Sequence, residues 1–200
     1  MKISAIKQQV KRKDRYSVYI DGTYSFSLSE SGLIESRLAS GQELNDNDLQ
    51  DLKKTAGLDK AYGNALRYVA MRPRSEWELG DYFRRKGIDE EYGSHIADRL
   101  RGVGLLDDLA FARAWASNRR LLKSISKRRL RQELQQKHVP SDVIGQVLSE
   151  DETDERTALV ELIQKKQARY PDKQKFMQYL ARQGFGFDDI KSALNGDTYD

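Results

Sequence analysis

Cysteine is absent from the 200-residue chain. Disulfides and thiolate metal sites are therefore excluded, in keeping with a reducing cytosol. Only two histidines occur, His95 and His138, and they offer no metal-ligand spacing. Neither has the supporting motif that a serine triad would need. A glycine-rich phosphate loop and a nucleophile elbow are also missing. Prolines number three, and the abundance of Ala, Leu, Glu, Lys, Arg and Gln favours helix. No apolar run approaches the roughly 18 residues needed to span a bilayer. The opening MKISAIKQQVKRK lacks the apolar core of a signal peptide. These absences predict a cytoplasmic protein that is not an enzyme, with no cofactor, no metal and no membrane contact.

Charge is plentiful and unevenly spread. Charged residues make up 33% of the chain and hydrophobic residues 38%, so the core is modest beside the surface. The net charge is +4. Residues 1–57 and 58–106 each carry +1, residues 107–149 carry +5 and residues 150–200 carry −3. A polyanion would meet the middle of the chain.

The first thirty residues read as β. Tyr16, Val18 and Ile20 alternate with small or polar residues, as do Tyr24, Phe26 and Leu28. Asp21-Gly22 between the two runs signals a type I′ hairpin turn, which needs positive φ at both central positions. Ile3 to Val10 reads as a third, weaker strand. Ser29–Leu38 and Asn45–Thr55 read as short helices, with Leu33, Ile34, Leu38, Leu49 and Leu52 on the apolar side. Asn45 with Asp48 resembles a capping box, and Gly57 reads as a stop. The expected N-terminal module, a hairpin or small sheet plus short helices, spans 1–57.

From residue 58 onward strand signals give way to a repeat. Leu79, Phe83, Ile88, Ile96 and Leu100 mark a first copy. Leu130, Leu134, Val139, Ile144 and Leu148 mark a second, and Phe176, Leu180, Phe185, Ile190 and Leu194 a third. The first three positions are spaced four and five residues apart in each copy, and copy starts lie 51 and 46 residues apart, a period typical of helical arrays. Leading helices are expected at Ala61–Met71, Asp107–Leu122 and Thr153–Gln167. The predicted fold is mainly α: three tandem three-helix repeats, elongated and gently curved, over 58–106, 107–149 and 150–196, with a tail at 197–200. Such units bury little apolar surface alone and should stack.

Punctuation agrees with this division. Ser75 with Glu78 resembles a capping box. Gly87 and Gly184 end the middle helices of copies one and three, where copy two has His138. Asp107-Asp108, Asp188-Asp189 and Asp89-Glu90 recur at helix starts. There a carboxylate caps free N–H groups at the positive end of the helix dipole, which outweighs an acid–base or metal reading. Trp115 follows Phe111 by four, so core packing is expected. Trp77 is off the ladder, and either packing or base stacking suits it.

The sharpest feature is the cluster from Arg119 to Lys137. Eight cations, Arg119, Arg120, Lys123, Lys127, Arg128, Arg129, Arg131 and Lys137, stand against one acid, Glu133. Leu130 and Leu134 share one side of a helix, so the cations should face outward. Only Arg129 with Glu133 forms an i,i+4 pair. Eight mutually repelling cations call for a counter-anion. A second cluster, Arg72, Arg74, Arg84, Arg85 and Lys86, lies in copy one and could continue the first as a stripe if the copies stack.

These stretches resemble a known family. GLLDDLAFARAWASNRR and KRRLRQELQQKHV, with ALRYVAMRPRSEWELGDYFRRKGI upstream and KFMQYLARQGFGFDDIKSAL downstream, are similar to the RecX family of RecA regulators. The likeness covers about residues 58–196, and RYSVYIDGTYSF looks like the N-terminal extension many members carry. Ser126 and His138 depart from it, standing where glycine is expected. The resemblance implies a monomeric, non-catalytic protein of DNA repair and recombination. Such proteins bind the RecA filament on single-stranded DNA, lodge in its groove and suppress ATP hydrolysis and strand exchange. The rival expectation is a stand-alone nucleic-acid-binding module, and a hidden metal-dependent nuclease is a third.

Overall fold

The computed structural model describes residues 1–122 and 124–195. The chain forms two compact units. The first comprises residues 1–72 and 83–100, and the second residues 73–82 and 101–200.

The first unit begins with an antiparallel sheet of β1 (Ile3–Gln8), β2 (Arg15–Ile20) and β3 (Thr23–Ser29), in that order. Asp21 and Gly22 take φ values of 46° and 83°, as the I′ turn requires. One face buries Ile3, Val18, Ile20, Phe26 and Leu28 against Leu44, Leu49 and Ala56. Helix α1 (Glu30–Ser36) starts at Ser29, whose Oγ accepts from Gly32 N. The reading of Ile34 as core is corrected, since its side chain is 71% exposed while Leu33 and Leu38 flank the core.

Helix α2 runs from Asp46 to Ala70 without interruption. The expected stop at Gly57 and restart at Ala61 are therefore overturned. Gly57 does not take the positive φ by which a terminal glycine ends a helix. Apolar residues on both sides of it, Leu49, Ala56, Ala65 and Val69, are buried on the one helix. The capping box at its start is complete: Asp48 N donates to Asn45 Oδ1 at 2.8 Å, and Asn45 N donates to Asp48 Oδ2 at 3.3 Å. Arg15, almost fully buried, pairs with Asp59 of α2 at 2.9 Å, tying sheet to helix. Helix α4 (Glu90–Gly102), as far as Leu100, and the end of α3 (Glu76–Lys86) complete this unit.

The second unit holds the start of α3 and helices α5 (Asp108–Leu122), α6 (Lys127–Gln136), α7 (Ser141–Glu150), α8 (Glu155–Lys166), α9 (Lys173–Arg182) and α10 (Phe187–Asn195). The repeat ladder is the core. Leu130, Leu134, Val139, Ile144 and Leu148 cluster with Phe111, Ala112 and Ala116. Phe176, Leu180, Phe185 and Ile190 cluster with Leu159, Leu162 and Ile163. Gly87, His138 and Gly184 end the three middle helices with φ of 64°, 54° and 94°. The repeat thus imposes a left-handed turn whatever residue occupies the position. Ser126 needs no such freedom: at φ −73° it is the N-cap of α6.

Of the acidic helix starts singled out in the sequence, Asp107 and Asp89 cap their helices, and Asp172, not singled out, does so as well. Asp107 accepts from Leu109 N and Ala110 N, Asp89 from Glu91 N, and Asp172 from Gln174 N and Lys175 N. Asp108 instead accepts from Glu76 N at 2.8 Å, serving the start of α3 rather than its own helix.

Candidate partner-binding surface

Helix α6 carries the predicted cationic face, and its fold explains why the cluster divides. Leu130 and Leu134 are fully buried, which turns Arg128 and Arg131 to solvent. Ser126 is buried and caps α6 through Arg129 N at 3.0 Å. Its own N–H donates to Gln183 O at 3.1 Å, joining α6 to the end of α9.

Acids engage four cations of the cluster, two through Glu133 within it and two through acids from outside it. Arg119 reaches Glu133 at 2.5 Å, and Arg129 reaches the same carboxylate at 3.4 Å. Arg120 pairs with Asp151 and also donates to Ile125 O, bracing the turn between α5 and α6. Burial opposes ionisation of Asp151, but hydrogen bonds from Arg120 and Thr153 prevail and lower its pKa below the ordinary value. Lys127 Nζ donates to Asp151 O at 2.5 Å, and its backbone N–H donates to Glu155 at 2.6 Å. Lys137 pairs with Glu78 of α3 at 2.8 Å, and Ser75 Oγ donates to Lys137 O at 3.0 Å. The expectation that all eight cations face outward is corrected. Arg128 and Arg131 form no ion pair among the described residues and are exposed. With Lys127 they border a shallow depression whose other side is Gly145, Leu148 and Ser149 of α7. Lys123 lies outside the described residues.

Both tryptophans belong to this region. Trp115 is half-buried against the second repeat's core. Its indole N–H donates to Glu133 at 3.1 Å, and its ring lies beneath both Arg119 and Lys137, 4.7 and 5.1 Å from the centroid. Core packing therefore describes only part of its role, since its ring also attracts two cations. Trp77 is 40% exposed and stacks on His138, ring centroids 4.2 Å apart.

The copy-one cluster is distributed differently. Arg84, Arg85 and Lys86 are exposed in the last turn of α3, where positive charge meets the negative dipole end. Arg72 is exposed just beyond α2, and Arg74 is partly buried before α3. Arg72 and Arg84–Lys86 belong to the first unit, Arg74 to the second.

Comparison with known proteins matches this arrangement along the chain. Four family models match in succession: the N-terminal domain of regulatory protein RecX over 1–45, and its first, second and third three-helix domains over 61–100, 107–148 and 154–194. The regulatory protein RecX of Bacillus pumilus is 30% identical over 205 residues, covering 99% of this chain and 78% of its own. This chain belongs to the RecX family. The RecX of Oceanobacillus iheyensis is 36% identical over 171 residues, which cover 82% of this chain and 63% of that protein. A crystal structure of a regulatory protein RecX superposes with a TM-score of 0.74 at 30% identity, covering 97% of this chain and 98% of the other. No helix among the described residues is long and apolar enough to cross a membrane.

Two features of this RecX-family surface escape sequence reasoning. Glu78 and Asp151 are partners of the basic cluster, 59 and 31 residues away from Lys137 and Arg120. Nothing in local spacing indicates them. The Trp77–His138 stack brings together two residues each noticed singly, and the repeat register offered a signal for it. His138 holds the glycine position just beyond α6, while Trp77 opens α3 beside its cap Ser75.

Proposed function

We propose that this chain regulates a RecA recombinase by seating in the groove of the filament that RecA forms on single-stranded DNA, suppressing ATP hydrolysis and strand exchange. Membership of the RecX family supports the regulatory role. The observation that carries the contact is the exposure of Arg128 and Arg131 on α6 without an ion-pair partner among the described residues. Their neighbours are already engaged by Glu133, Asp151 and Glu78, so these two guanidiniums have the most to gain from an external anion. Arginine suits phosphate and carboxylate equally, through its planar fork of donors. A groove bordered by DNA phosphates and acidic side chains supplies both.

The remaining cations act indirectly on this reading. Arg119 ties α5 to α6 through Glu133, Lys137 ties the end of α6 to α3 through Glu78, Arg120 ties α5 to Asp151 after α7, and Arg129 pairs within α6, so that the two exposed arginines project from a braced helix. The cations at Arg72, Arg74 and Arg84–Lys86 would supply further anion-facing charge, each within its own unit.

The test is the DNA-dependent ATPase of RecA with and without this chain. Stoichiometric amounts should inhibit it, and the absence of inhibition removes the proposal. Replacing Arg128 and Arg131 together by Glu should abolish inhibition while the far-ultraviolet dichroism stays unchanged. Unaltered inhibition by that variant would assign the contact elsewhere.

A further inference from the structure

The exposed side of α6 leads toward an aromatic pair that the regulatory reading leaves unused. The indole of Trp77 lies on the imidazole of His138, with 17° between the ring planes. Trp77 is 40% exposed and His138 is exposed. The turn at His138 does not ask for a ring. Its φ is 54°, and the matching positions of the other copies are Gly87 and Gly184, also at positive φ. A side chain is uncommon in that conformation. Here it is held by the bond from His138 N to Gln135 O at 2.9 Å and by the anchoring of Lys137 to Ser75 and Glu78.

Arg128 and Arg131 lie on α6, His138 stands in the turn just beyond its end, and Trp77 lies at the start of α3. Arg128 and Arg131 are exposed, while Leu130 and Leu134 of the same helix are buried. His138 follows Arg131 by seven residues and Arg128 by ten. Single-stranded nucleic-acid sites combine two elements, cations that track the phosphates and an aromatic face on which a base stacks. Both are present here. An acidic protein surface would use the arginines and leave the rings idle. A duplex would offer phosphates but keep its bases stacked inside.

We propose that Trp77 and His138 form a base-stacking platform for a nucleic-acid single strand whose phosphates run along Arg131 and Arg128. This rests on the reading of those arginines as the anion-facing pair, and adds that the chain touches the strand itself. Ser75 Oγ donates to Lys137 O, holding the residue next to His138 beside the start of α3.

The experiment uses the full chain, a labelled oligothymidylate and no recombinase. Anisotropy reports affinity, and tryptophan emission reports the site. The strand should bind more tightly than a duplex of equal length or inorganic polyphosphate, and should quench wild-type emission but much less that of Trp77→Phe. Trp77→Ala should weaken binding by roughly 5- to 100-fold, the worth of one base–aromatic stack. His138→Gly keeps the left-handed turn, removes the ring and should weaken binding comparably; it also serves if Trp77→Ala fails to fold. The platform is overturned if wild type does not bind the strand, if polyphosphate binds as well, or if folded ring variants retain full affinity. The two proposals fail separately. RecA inhibition without strand binding leaves the regulatory reading and removes the platform, whereas ring-dependent strand binding without inhibition does the reverse.

Discussion

Glu150 lies at the surface, yet its carboxyl is held down to about 2, first by hydrogen bonds from Arg113 and then by one from Gln146. Arg113 binds it at 2.7 and 2.8 Å, linking α5 to α7. The ordinary value is 4.5, so between the two the unfolded chain takes up a proton that the folded chain refuses. Stability contributed by this pair is present above that window and is lost as pH falls through it. Unfolding curves recorded across that range should be less pH-dependent in Glu150→Gln. Asp108 has the opposite sign. Burial raises its pKa, and the negative charges of Glu76 and Asp107 add to this against the hydrogen bond from Glu76 N. Ionisation therefore costs the fold, and its contribution is lost as pH rises above the ordinary carboxylate range. Asp108→Asn keeps an acceptor for Glu76 N and should raise the melting temperature at neutral pH. A lower value would show that the charge stabilises α3. Neither effect was legible in sequence, because Arg113 lies 37 residues from Glu150 and Glu76 lies 32 from Asp108.

At the scale of elements, α2 and α6 show two kinds of legibility. The N-terminus of α2 was readable because its capping box is local, between Asn45 and Asp48. Its length was not, because Gly57 is a stop only when the chain leaves the helix there. Packing of Leu49 and Ala56 on one side of Gly57 and of Ala65 and Val69 on the other keeps the helix intact. A Cβ at Gly57 would meet no atom within 4 Å. Gly57→Ala should therefore stabilise the fold by about 0.5–1 kcal/mol in urea unfolding, by helix propensity and reduced freedom of the unfolded chain. Loss of stability would mean that the glycine serves flexibility in α2. For α6, the apolar ladder correctly indicated its inner face, but the pairing of its cations followed from neighbours brought up by the fold. Gly184 illustrates the same dependence. A Cβ there would lie 2.9 Å from the backbone nitrogen of Arg129, so the glycine answers both its own turn and the approach of α6.

For the whole molecule, the +5 charge of residues 107–149 overstates what a partner would find. Arg119, Arg120, Arg129 and Lys137 are engaged by acids, partly from α3 and from beyond α7. Salt dependence measures the difference. Eight free cations on a single strand would give a slope of log affinity against log salt near roughly −5.6, and two would give roughly −1.4. A slope close to the smaller value is expected for oligothymidylate binding to this chain. A slope near the larger one would show that the internal ion pairs open on binding.

The chain's mainly helical repeat architecture and its N-terminal sheet were legible in the sequence, because apolar periodicity, turn chemistry and helix caps act over a few residues, while its RecX membership was legible only through the resemblance of whole stretches such as KRRLRQELQQKHV. Ser126 as a cap and the left-handed turn at His138 are local in the same sense, though they depart from the glycine pattern. Tertiary structure alone decided which cations remain available, because Glu78 and Asp151 reach the cluster only after the helices pack. It also decided the Trp77–His138 stack, since ring contact depends on where two distant helix ends meet rather than on their spacing along the chain.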